Sequence, residues 1–88
     1  MTNFLVRSEY NLLNKFNEFN TLSKSGRDVL LGILNTFGYT TPSMTDDMMA
    51  ESLNMNRVTY RRGLYELRNR GFIENFGYKS YRVLFRVE

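Results

Sequence analysis

The sequence predicts a mainly helical α+β fold in which helices lead into a small C-terminal β-hairpin, and three observations carry the prediction. Apolar residues recur at three- and four-residue spacing through Tyr10–Asn20, Val29–Phe37 and Tyr60–Leu67, which is the period of a helix with one buried face. The period shortens to two at Tyr81, Val83, Phe85 and Val87, as in a strand with one buried face. Between these stretches stand residues that start helices through side-chain caps and two glycines that stop them. The 88 residues, 42% apolar and 15% aromatic, suffice for one hydrophobic core and not for two.

In chain order, residues 1–22 form a leader whose Leu12, Leu13, Phe16 and Phe19 suit one face of a helix, with asparagines at 11, 14, 17 and 20 elsewhere. That face is large for a free surface, so it packs on its own domain or on a second copy of the chain. Residues 23–88 form the domain proper. A helix is expected from about Ser25, because Ser25-Gly26-Arg27-Asp28 has the form of a capping box; Val29, Leu30, Ile33, Leu34 and Phe37 line its face and Gly38 ends it. Tyr39–Met44, with Pro42, is a loop with room for one short strand, since proline lacks an amide donor. Thr45 caps the next helix, which places Asp46 and Asp47 in its first turn, where the helix dipole favours negative charge. It runs to about Leu53. Asn54-Met55-Asn56 is a tight turn, and Asn56 caps a helix over residues 57–70 that Gly71 terminates. Phe72–Phe76 then pairs with the Tyr81–Val87 stretch across Gly77.

The segment from Met49 to Ile73 resembles the winged helix-turn-helix family without gaps. Ala50 is small where two helices must approach, Leu53 and Met55 flank the turn, and Tyr60, Gly63, Leu64 and Leu67 occupy the apolar or small positions. Leu67-Arg68-Asn69-Arg70-Gly71-Phe72-Ile73 matches the family's ending before the wing. Asn54 stands where glycine is common, and asparagine tolerates the left-handed conformation better than most residues. Tyr60 replaces a smaller aliphatic side chain and needs a partner for its hydroxyl if buried. Gly63 costs a helix roughly 1 kcal/mol relative to alanine, which makes sense if another helix presses against it. The resemblance implies a three-helix core with a C-terminal wing, preceded here by the extra leader helix, and binding of double-stranded DNA through the helix of residues 57–70. A leader followed by such a domain also bears a diffuse similarity to small plasmid and phage replication proteins of the RepL type.

The residues themselves fit that implication. Residues 1–55 carry four basic and six acidic side chains and residues 56–88 eight and three, a basic half that is either an electrostatic footprint for phosphates or an ordinary solvated surface. At 100° per residue, Val58, Arg62, Tyr65 and Asn69 lie opposite the apolar stripe of the last helix, with Arg57, Arg61 and Arg68 along one flank. Arginine can donate two hydrogen bonds to guanine, and valine or threonine methyl groups can meet the thymine methyl. The candidate DNA-contacting residues are therefore Arg57, Val58, Thr59, Arg61, Arg62 and Tyr65, with Thr45 and Asn56 as phosphate contacts. Lys79, at the hairpin tip, either reaches an adjacent phosphate or belongs to an ordinary polar turn.

The expected role is a sequence-specific transcriptional regulator such as a repressor, working as a homodimer through residues 1–22 if those pair. A replication protein binding origin DNA and a winged-helix protein-interaction module are the alternatives. With no cysteine and no histidine, disulfides, thiolate zinc sites and the usual nucleophilic dyads are excluded; no enzyme activity, metal or cofactor is expected. Met44, Met48, Met49 and Met55 read as packing residues. The longest apolar stretch, Val29–Leu34, is far too short for a membrane span and the first twenty residues lack a signal-peptide core, so a cytoplasmic protein is expected. Ten asparagines hint at an AT-rich microbial, plasmid or phage gene.

Overall fold

Helix α1 spans Lys24–Thr36, α2 Asp46–Ser52 and α3 Arg57–Asn69; the antiparallel strands β1, Ile73–Asn75, and β2, Tyr81–Val83, follow. The computed structural model describes residues 19–84, so the leader helix up to residue 18 and the strand positions Phe85 and Val87 lie outside the described residues. The chain is thus mainly helical with a small two-stranded hairpin.

Both ends of α2 and of α3 have local causes. Thr45 Oγ1 accepts a hydrogen bond from the Met48 amide at 3.2 Å, and Asn56 Oδ1 accepts from the Val58 and Thr59 amides at 2.8 and 3.4 Å, satisfying donors that the first turn leaves unpaired. At the end of α2, Asn54 takes φ 55°; its amide donates to Glu51 O and the Met55 amide donates to Ala50 O. This is a Schellman closure with asparagine in the left-handed position usually held by glycine. The same pair of bonds ends α3, where Gly71 has φ 76°, its amide donates to Arg68 O, and the amide of buried Phe72 donates to Leu67 O. The Leu67-x-x-x-Gly71-Phe72 ending is therefore a helix stop that also turns the chain into β1.

The start of α1 differs from the expected capping box at Ser25. The cap is Ser23, whose hydroxyl accepts from the Gly26 amide at 3.2 Å. The acid that a capping box would supply from three residues on comes instead from α3: Glu66 accepts from the Ser23 amide at 3.1 Å and from its hydroxyl at 2.6 Å. A side chain at position 26 would collide with this carboxylate, since a Cβ there would lie 2.4 Å from Glu66 Oε1. Asp28 pairs instead with Lys24, at 2.8 Å. Arg70 completes the junction, lying 3.8 Å from Glu66 and donating to the Thr21 hydroxyl at 2.6 Å.

The hydrogen bond from the Ser23 hydroxyl, above all, holds the Glu66 carboxyl below the usual range, helped by the Ser23 amide and the Arg70 charge against the cost of partial burial. A carboxylate with a lowered folded pKa stabilises the fold above its unfolded value and loses that contribution as pH falls through the folded one. Glu66→Gln should therefore lower stability near pH 7 by about 0.5–1 kcal/mol, with the gap shrinking as acid protonates the carboxylate. Urea unfolding at neutral pH and in acid tests this, and a gap that does not shrink toward acid would contradict it.

The core lies between α1 and α3 and is closed by α2 and the hairpin. Val29, Leu30 and Ile33 from α1, Met49 and Ala50 from α2, and Tyr60, Leu64 and Leu67 from α3 meet Phe72, Ile73 and Val83 there. Fully burying side chains of this size contributes roughly 1.5–3 kcal/mol each before the cost of ordering the chain. Leu22 is also buried and Phe19 packs against the cluster, so the last leader residues touch the domain. Tyr60 is wholly buried, and its hydroxyl has no hydrogen-bond partner among the described residues. Burial pushes its ionisation up. Tyr60→Phe should leave stability unchanged or raise it by up to about 1 kcal/mol in urea unfolding. A loss larger than that would reveal a partner for the hydroxyl.

The hairpin is held by more than its own ladder. Ile73, Glu74 and Asn75 pair with Val83, Arg82 and Tyr81, and Thr40 makes a further antiparallel bridge to Arg82, a single isolated bridge where the Tyr39–Met44 loop had room for a short strand. The Tyr81 amide donates to Thr41 Oγ1 at 2.9 Å, and the hydroxyl of buried Ser80 donates to Thr41 O. At the tip, the Ser43 hydroxyl donates to Tyr78 O and the Met44 amide to Lys79 O. These contacts dock the tip onto the segment that leads into α2.

Candidate nucleic-acid interface

The surface in question is the side of α3 away from the core. Tyr60, Gly63, Leu64 and Leu67 are buried, while Val58 and Tyr65 are each 63% exposed and Arg57, Arg61, Arg62, Arg68 and Asn69 are exposed. The helical period requires this division once one stripe is committed to the core. Thr59 falls at the margin, half-buried.

Two grooves flank the N-terminal end of α3. One, of about 350 Å³, is lined by Thr45, Asp46, Asp47, Arg57, Lys79 and Tyr81, so the fold brings together three candidate residues from the start of α2, the start of α3 and the hairpin tip. The other, of about 510 Å³, runs along the turn between α2 and α3 and includes Asn56 and Arg57. Arg62 and Tyr65 line neither groove and stand on the outer face of α3.

Thr45 and Asn56 spend their acceptor oxygens on their own helix starts, which leaves the Thr45 hydroxyl hydrogen and the Asn56 amide group as the donors available to a phosphate. Lys79 has φ 52°, and its ammonium lies 5.4 Å from the centroid of the exposed Tyr78 ring. A second cation–π contact is made by the Arg82 guanidinium, 4.8 Å from the centroid of the Phe76 ring.

The carboxylates of α2 do more than favour its dipole. Asp47 lies 3.1 Å from Arg57 Nε and Asp46 lies 3.5 Å from Arg61 Nε. All four side chains are at least 39% exposed, so each pair is worth about 0.2–1 kcal/mol. Arg62 and Arg68 have no ion pair among the described residues. Sequence reasoning missed the cross-helix pairing because capping and the dipole already accounted for both acids, and no local spacing relates residues 46–47 to residues 57–61.

Among the described residues, no helix is long and apolar enough to cross a membrane. Comparison with protein-family models, with curated proteins and with solved structures finds no match to this chain.

Proposed function

We propose that the chain is a double-stranded DNA-binding protein of winged helix-turn-helix type, a sequence-specific transcriptional regulator that inserts α3 into the major groove. The observation that carries this reading is the outward side of α3, where four arginines surround Val58 and Tyr65 opposite a fully committed core face. A helix of this width fits the major groove, guanidinium groups match guanine O6 and N7, and cations gain by releasing counterions from phosphates. The short turn between α2 and α3 and the docked hairpin support the winged reading, because they hold Lys79 beside the N-terminal end of α3, within reach of an adjoining phosphate. One α3 reads only a few base pairs, so two copies on half-sites about one helical turn apart form the expected complex, working in the cytoplasm.

Fluorescence anisotropy with labelled duplexes at several salt concentrations tests the proposal. Neutralising about five phosphates should give a slope of log affinity against log salt near −4 to −5. Undetectable binding to any duplex at low salt would remove it.

A further inference from the structure

We infer that Asp46 and Asp47 are positioning residues for DNA recognition: by bracing Arg57 and Arg61 at Nε, they set the base selectivity of α3 and weaken its hold on arbitrary sequences. The inference rests on the DNA-binding reading above and adds a role for two residues on the neighbouring helix.

An arginine has two donor edges, and they serve different partners. A carboxylate beside Nε draws that edge of the guanidinium toward α2 and leaves the Nη1/Nη2 edge, the edge that meets guanine O6 and N7 side by side. Both pairs are made at Nε, at 3.1 Å for Arg57 and 3.5 Å for Arg61. The two arginines stand one turn apart on α3 and the two aspartates are adjacent in the first turn of α2, so the braces are in register across the interhelical turn. The dipole of α2 accounts for acids at its start but not for their meeting two arginines of another helix.

The second consequence is electrostatic. Asp46 and Asp47 line the groove that also holds Thr45 and Lys79, and so place two negative charges beside the groups expected to meet phosphates. Any duplex pays this repulsion, whereas only a duplex presenting the right base edges collects the contacts of the braced arginines.

The test compares wild type with Asp46→Asn/Asp47→Asn on two labelled duplexes. One is enriched from a random pool by the wild-type protein, and the other has the same length and composition in scrambled order. The double variant should bind the scrambled duplex several-fold more tightly, and the ratio of affinities should fall about five- to tenfold. Asp47→Asn should leave the ratio unchanged when Arg57 is already alanine, because the brace then has nothing to hold. An unaltered or increased ratio in the double variant, with wild type still binding DNA, overturns the inference alone. Failure of wild type to bind either duplex at low salt takes down the functional reading and the inference together. Asp47 is exposed and Asp46 half-buried, with neither in the core, so the variants should fold; if circular dichroism shows that the double variant does not, the two single variants are compared by the same ratio.

Discussion

Gly63→Ala should destabilise the domain by about 2 kcal/mol or more, although alanine is the better helix former by roughly 1 kcal/mol. A Cβ at position 63 would lie 2.5 Å from the carbonyl oxygen of Ser25 and 2.6 Å from Val29 Cγ2. The first of these is backbone, and it cannot turn aside as a side-chain tip can. To admit one methyl group, α1 must move off α3, loosening Val29, Leu30 and Ile33 against Tyr60 and Leu67 and pulling Ser23 from Glu66. In a domain of this size the loss corresponds to a fall of about 8–16 °C in Tm. Gly32→Ala provides the contrast, because its nearest neighbours are the Leu53 methyl groups at 3.2 and 3.4 Å, which can shift. There the helix-propensity gain should offset the crowding. Thermal unfolding of the two variants checks the ranking, and equal Tm values would mean that α1 and α3 do not meet at Gly63.

Arg62→Ala should cost about 1–3 kcal/mol of DNA binding on the preferred sequence, roughly 5- to 150-fold, while changing stability by no more than about 0.5 kcal/mol. The separation of the two effects follows from position: Arg62 stands on the exposed side of α3 and has no ion pair among the described residues, so the packing of α3 against the described core does not depend on it. Its loss should also flatten the preference for one sequence over another, whereas Lys79→Ala should weaken all sequences alike and reduce the salt slope by about one. Anisotropy on preferred and scrambled duplexes separates these outcomes. Equal losses on every sequence for Arg62→Ala would make it a phosphate contact and shift base reading to the braced pair, Arg57 and Arg61.

Most of the candidate surface was legible in the chain because its causes are local. Thr45 and Asn56 cap helices by reaching amides two or three residues ahead, and Asn54 accepts the left-handed turn without help from elsewhere. The spacing of Tyr60, Gly63, Leu64 and Leu67 is enough to declare which side of α3 turns inward and hence which arginines stay outside. The start of α1 was displaced by two residues from the expected position. Ser23 and Ser25 are both competent caps, and the choice between them is made by Glu66, which lies 43 positions away in the chain.

What the amino-acid order determined by itself is therefore every feature set by hydrogen bonds or periodicity within a few residues: the sequence of elements, two of the three helix starts, the left-handed stop at Asn54 and the outward face of α3. Tertiary packing alone decided which carboxylate completes the Ser23 cap, which aspartate meets which arginine, that Thr40 bridges Arg82, and that the hairpin tip docks against Ser43 and Met44. A local hydrogen bond closes a short loop that the chain samples readily, so its residue types announce it. A contact between distant segments is selected only after the core has placed both in space, and many side chains of the same chemistry compete for it until then.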